Sequence, residues 1–360
     1  MGACESAPTK VETDQAKGPT KWDSSMQNLK RDLIELQPFI FDQRQFEDAK
    51  NKEFLAEKIH NLSEEAKSIK HNPTLLSQDP TVRFVAAQFT EDLQRADQNF
   101  SGGWTGFSRT QLMAVTGFCV ECHTRMNQGP EFNSANVRPP YLVQLPLKNQ
   151  VEFKIAFREY DAAFALVIKT LYDSHSNDIR SELDQIARLG LSIAVQYKQD
   201  REKAKSLTSI IAKNKDLPLY LKKDSQQWQK SLLRWNKSEA LKTLPDIRKF
   251  IKQRHKSEVD DMRAIAALLQ YLTQDLKPNE LGEALLLTGE SYESLNKISF
   301  MALHENYYES CVRKVAQTIW GRKCYDKLEN AVTLGYTGSG GTFVPPDVKD
   351  HLKLLKKSID

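Results

Sequence analysis

From Ser24 onward the apolar positions recur at three- and four-residue intervals almost throughout, and no run of alternating β-branched residues reads as a strand. The fold class this pattern predicts is all-α. Met26, Leu29, Leu33, Leu36 and Ile40 make one stripe on a first helix, which Pro38 kinks or ends. A second helix carries Leu55, Ile59, Leu62, Ala66 and Ile69 and stops before His71-Asn72-Pro73. The third opens at Asp79-Pro80, an N-cap followed by proline at the first helical position. It carries Val82, Val85, Phe89, Leu93 and Ala96, and Ser101-Gly102-Gly103 stops it. The fourth starts at Ser108-Arg109-Thr110-Gln111, which reads as a capping box, and places Leu112, Val115, Cys119 and Cys122 on one face until Gly129-Pro130. Four amphipathic helices with short connections predict an antiparallel bundle over residues 24–127, with a cofactor between its helices.

A linker containing Pro130, Pro139, Pro140 and Pro146 spans residues 128–148 and is expected to divide the chain into two domains. Across residues 149–360, helical segments recur in pairs, separated by breaks such as Asp216-Leu217-Pro218 and Lys277-Pro278-Asn279. This predicts a helical-hairpin solenoid. Leu285-Leu286-Leu287-Thr288-Gly289-Glu290-Ser291-Tyr292 contains a Gly-x-x-Tyr and resembles the first helix of a tetratricopeptide repeat, with Tyr307, Tyr308 and Cys311 as packing positions of the second. Ile155 to Ala163 is similar to the turn region of another unit. The strict period of about 34 residues is absent, so the resemblance is to degenerate repeats. It implies docking of a peptide or protein partner; a helical domain with no binding groove is the plainer alternative.

Composition narrows the partners. With 40% hydrophobic residues, 360 positions suffice for two domains, each with its own core. The 51 Lys and Arg are interspersed with 47 Asp and Glu, for a net charge of +4, so nucleic acid is not the implied partner. No apolar stretch reaches the roughly 18 residues a membrane span needs. Met1-Gly2-Ala3-Cys4 resembles the last positions of a bacterial lipoprotein signal, in which Cys4 is lipidated and becomes the first residue, although the apolar segment that precedes such a cysteine is missing. The same residues through Ser6 also match an N-myristoylation signal. Residues 1–23 then read as a lipoprotein N-terminus and a flexible tether to a membrane surface, poor in large apolar residues.

The strongest chemical signal is Cys119-Val120-Glu121-Cys122-His123, the attachment signature of a c-type haem. Two thiols form thioethers with the porphyrin vinyl groups, and the imidazole next to the second thiol ligates iron from one side. On a helix the three residues share one face. Zinc and a redox dithiol are the rivals. Zinc needs a second Cys/His pair at short spacing, whereas Cys311 and Cys324 are remote and thirteen apart. A dithiol pair wants a helix N-terminus after a strand, and this motif comes late in a helical pattern.

With that motif near the end of a fourth helix, residues 24–127 resemble the class II c-type cytochromes, the cytochrome c-prime group. The resemblance implies one covalently attached haem c, Cys119 and Cys122 as its tethers and His123 as the proximal ligand. In the six-coordinate branch a methionine near the start of the first helix supplies the second axial ligand, and Met26 occupies the matching place. A vacant distal side remains open, as do His60 and His71; Met113 and Met126 share a helix with His123 and are poorly placed to reach the opposite face. Haem attachment takes place outside the cytoplasm, which favours the lipoprotein reading over myristoylation and implies a lipid-anchored protein of the bacterial periplasm.

Cys311 and Cys324 lie on adjacent predicted helices and pair in an oxidising compartment, or else are small buried thiols. Gly335 to Gly341 is glycine-rich, lacks the Lys-Ser/Thr of a phosphate loop and reads as a plain loop. The lysines from Lys349 to Lys357 fit one solvated helix face. No Ser/His/Asp, paired-carboxylate or Cys/His catalytic set stands at recognisable spacing, so no enzyme is expected. The expected function is single-electron transfer to or from a redox partner protein. The alternative is an envelope scaffold or sensor whose haem is structural or binds a gas.

Overall fold

The computed structural model of the protein describes residues 21–70, 82–125, 145–156, 158–173, 180–235, 241–253, 257–295 and 303–360. The predicted stripes are helices. Helix α1 spans Lys21–Phe41, with Pro38 inside it rather than at its end. Asp42 then caps the short α2, Gln43–Glu47, by accepting from the Arg44 and Gln45 N–H groups. Helices α3, Lys52–Lys70, α4, Val82–Ser101, and α5, Thr105–Arg125, follow. The stripe residues Leu36, Ile40, Leu55, Ile59, Leu62, Leu93, Ala96 and Leu112 are buried, as the 3.6-residue period requires.

The turn between α4 and α5 corrects one boundary. Gly103, at φ 84°, ends α4 as glycine can. α5 then starts at Thr105, with the Trp104 carbonyl accepting from the Ser108 N–H. Ser108 is therefore buried within the first turn, its hydroxyl has no hydrogen-bond partner among the described residues, and the expected capping box does not form.

Side-chain contacts fix the directions of these helices. Ser25 meets Ser68 at 2.9 Å, Asn28 donates to Glu65 at 2.7 Å, and Lys58 to Asp32 at 3.3 Å, so α1 and α3 are antiparallel. Thr90 donates to the Ala66 carbonyl at 3.0 Å and His60 pairs with Asp97 at 3.0 Å, which reverses α4 against α3. Asn99 donates to Gln111 at 3.0 Å, and Phe89 packs on Phe118 with ring centroids 5.7 Å apart, which reverses α5 against α4. α1 and α5 also touch, and Arg109 donates to the Ile40 carbonyl at 2.7 Å.

α5 carries apolar residues on more than one side, with Leu112, Val115 and Phe118 buried and Phe107 exposed. It packs against α1 and α4, and also against α6, Leu147–Ala156, and a π-helical turn at Ile193–Tyr197. One hydrophobic core consequently runs from α1 into the helices that follow. Most of the predicted linker 128–148 lies outside the described residues.

Helices α7, Tyr160–Tyr172, α8, Arg180–Ser192, α9, Arg201–Lys213, α10, Leu219–Arg234, and α11, Leu244–Gln253, continue the chain. They lead into α12, Glu258–Tyr271, α13, Pro278–Ser294, α14, Leu303–Val315, α15, Ile319–Gly335, and α16, Pro346–Ile359. Most pack on the next helix, and several on the next but one. The predicted turn near residue 158 is present between α6 and α7, with Arg158 at φ 60°.

Gly289 lets α13 and α14 approach closely: a Cβ there would collide with the Tyr308 ring. Beside it Tyr292 stacks on Tyr307 at 5.4 Å, and Tyr307, Tyr308 and Cys311 are all buried. Cys311 and Cys324 form a disulfide between α14 and α15, which resolves the two alternatives in favour of pairing. Arg188, 2% exposed, joins α8, α10 and α12 by ion pairs to Asp184, Asp224 and Glu258, and Trp228 donates to Glu258 as well. The glycine-rich segment is not a plain loop: Thr337–Gly338 (β1) pairs antiparallel with Gly341–Thr342 (β2). All-α otherwise describes the fold.

Candidate haem-attachment site

α5 continues as helix through Arg125, so positions 119, 122 and 123 fall on one face of one unbroken helix. Cys119 is half-buried against the main core and takes part in no disulfide. It follows Phe118, whose contact with Phe89 ties this part of α5 to α4. Leu112 and Val115, seven and four residues earlier, are buried on the same side. The side chains of Cys122 and His123 lie outside the described residues, as do Cys4, His71 and Met126.

Met26 is likewise half-buried and packed against the core. Its level in the molecule follows from the Arg109–Ile40 hydrogen bond. Met26 lies fourteen residues before Ile40 and His123 fourteen after Arg109, so on antiparallel helices each stands about 21 Å from that bond along its axis. The lateral contacts reach the same level by another route, from Ser25 to Ser68, Ala66 to Thr90, and Phe89 to Phe118. Met26 and the stretch beginning at Cys119 thus share one end of the first helical group, on neighbouring helices. Half-buried positions on two neighbouring helices suit the walls of a crevice, in which a thiol can bond to a porphyrin vinyl group and a thioether can ligate its iron.

The histidine alternative is weaker on geometry. His60 is exposed, pairs with Asp97, and stands about 12 Å along α3 from Ser68 at the Met26 level. Met113 is 40% exposed and sits on α5 itself. Lys30, one turn after Met26, has its pKa lowered by burial, with the charge of Glu159, between α6 and α7, opposing the shift.

The disulfide bears on zinc, since Cys311 and Cys324 hold each other and cannot complete a site with Cys119 and Cys122. Among the described residues no group of three or more His, Cys, Asp or Glu could hold a metal ion. Two contacts were invisible to periodicity: Phe89 reads only as one member of an apolar stripe, with nothing to mark Phe118 as its partner, and Arg109 reads as a capping-box residue. Only their partners across the helices reveal that they fix the site's level.

Comparison with known protein families, with curated proteins and with solved structures finds no match to this chain.

Proposed function

We propose that this chain is an exported, lipid-anchored monohaem c-type cytochrome that accepts and passes single electrons, with residues 24–127 a four-helix haem bundle and 149–360 a tetratricopeptide-like array that docks a redox partner. The observation that carries the reading is the shared level of Met26 and the Cys119–His123 stretch on two antiparallel, touching helices. In this reading Cys119 and Cys122 would hold the porphyrin by thioethers, and His123 and Met26 would ligate its iron. When bound, the haem supplies reversible one-electron chemistry. Met26 would bias it, because a soft thioether favours reduced iron and raises the potential relative to a second imidazole.

Export has its own support. A buried disulfide between Cys311 and Cys324 belongs to an oxidising compartment, the one in which haem is attached. Cys4 would then anchor the tether in the envelope, and the tether's length would keep the folded part off the lipid.

The test is expression with a cytochrome c maturation system, followed by absorption spectra of both redox states and a redox titration, with Met26→Ala alongside. The expected result is a covalently held pigment, insoluble in acid-acetone, with a spectrum that changes and a potential that falls in Met26→Ala. Unchanged spectra in the variant would remove Met26 from the iron. Retained Cys119 and Cys122 with no pigment would remove the haem.

A further inference from the structure

Charge is unevenly spread along the chain. Residues 198–256 hold 17 of its 51 Lys and Arg but only 6 of its 47 Asp and Glu, a local net charge of +11 in a chain whose total is +4. Leaving out 236–240 and 254–256, which lie outside the described residues, the balance is still 14 to 5. Helix α10 carries part of this charge on its solvent side. Leu221, Trp228 and Leu232 bury one face of it. On the opposite face Leu219, Lys223, Gln226, Lys230 and Leu233 recur at intervals of four and three and are all exposed, a stripe about 21 Å long.

No carboxylate interrupts this stripe. The one acid in α10 is Asp224, which pairs with the buried Arg188. Lys223 and Lys230 make no ion pair among the described residues. Lys222 donates to the carbonyl of Lys215 at 3.0 Å, which brings Lys215, exposed in the preceding loop, beside the first turn of α10. Three lysines therefore gather at one end of the stripe and Lys230 follows two turns on. The apolar residues are placed as deliberately: Leu219 and Leu233, 69% and 73% exposed, stand at the two ends of the same face, and Tyr220 flanks Leu219.

We propose that this face of α10 binds an anionic lipid surface, with Lys215, Lys222, Lys223 and Lys230 drawn to the headgroups and Leu219 and Leu233 entering the interface. Residue type favours a bilayer over other polyanions. Protein interfaces are enriched in Arg and depleted in Lys, and leucine seldom carries their binding energy. A nucleic acid offers phosphates to the lysines but little apolar surface to the two leucines. A charged bilayer meets both, because attraction of a lysine to it needs no shaped partner and a leucine enters the acyl boundary without a preformed pocket. The inference needs neither haem at α5 nor lipid on Cys4.

Co-sedimentation with lipid vesicles tests it, using the full chain with Cys4→Ser so that no acyl chain contributes. Vesicles of equimolar phosphatidylglycerol and phosphatidylcholine should bind the protein at low salt and release most of it at high salt. Vesicles of phosphatidylcholine alone should bind it more weakly by about tenfold or more. Lys223→Gln/Lys230→Gln should weaken binding to the anionic vesicles about 25-fold, or about fivefold per lysine. Leu219→Gln/Leu233→Gln should weaken it by about tenfold or more. All four positions are exposed, so circular dichroism should show each variant as helical as its parent. Lys349→Gln/Lys357→Gln removes the same charge from α16 and should change binding less than about twofold, since the attraction fades within a Debye length. No binding to the anionic vesicles, equal binding to both compositions, no effect of either α10 pair, an equal loss from the α16 pair, or tighter binding of a duplex DNA oligonucleotide would overturn the proposal.

Discussion

The Arg109 side chain donates to the carbonyl of Ile40 at 2.7 Å, joining the second turn of α5 to the last turn of α1. A guanidinium on a terminal carbonyl also meets the negative end of the helix dipole. This contact sets the longitudinal register of the two helices, and with it the level of Met26 relative to His123. Arg109→Met should cost about 1.5–3 kcal/mol in urea denaturation followed by far-UV circular dichroism. An unchanged midpoint and slope would mean the bond contributes nothing to register or stability.

Gly289 and Tyr308 make a second close contact, between α13 and α14. A methyl group at 289 must push the ring aside, and the ring's hydroxyl is held by Glu293 at 2.7 Å. Gly289→Ala is expected to destabilise by about 1–3 kcal/mol, as overpacking does. Adding Tyr308→Ala should give less than the sum of the two single effects, since the second change removes the clash the first creates. Strict additivity in a double-mutant cycle would refute the contact.

The Cys311–Cys324 bridge closes a short loop between two buried positions. Its reduction, or Cys311→Ser with Cys324→Ser, should lower the unfolding free energy by about 2–4 kcal/mol. Alkylation of the denatured protein without reductant should leave both sulfurs unmodified. Modification of either would contradict the pairing and the compartment inferred from it.

Acid should loosen the same region. Burial depresses the pKa of His304, with Glu293 raising it and Lys327 lowering it further. Because the unfolded imidazole takes its proton at about pH 6.5, above the folded one, the unfolded state binds more protons. The stability His304 allows is complete above that pH and lost as pH falls through 6.5 towards the depressed folded value. His304→Asn should flatten the wild-type decline in stability between pH 7 and pH 5; parallel curves would assign the decline elsewhere.

Much of the helical framework was legible because burial imposes its period on the residues: Leu36, Ile59, Leu93 and Leu112 all stand where their stripes require. The Gly289–Tyr292 signature was legible for a similar reason, since only glycine permits the approach to Tyr308. Ser108 misled because a capping box depends on which turn comes first, and the chain begins α5 at Thr105, three residues earlier. The π turn at 193–197 and the hairpin at 337–342 escaped because neither has a distinctive periodicity. As for Cys119-Val120-Glu121-Cys122-His123, the proposed chemistry comes from sequence alone, and the helix contacts add that Met26 stands at the same level on a neighbouring helix.

The central claim is covalent, so the mass of the intact chain tests it most directly. Material made in a host that exports the protein and attaches haem should weigh one haem more than its polypeptide and any lipid, and Cys119→Ser/Cys122→Ser should lose that increment while remaining helical. A wild-type mass accounted for by amino acids and lipid alone would contradict the electron-carrier account.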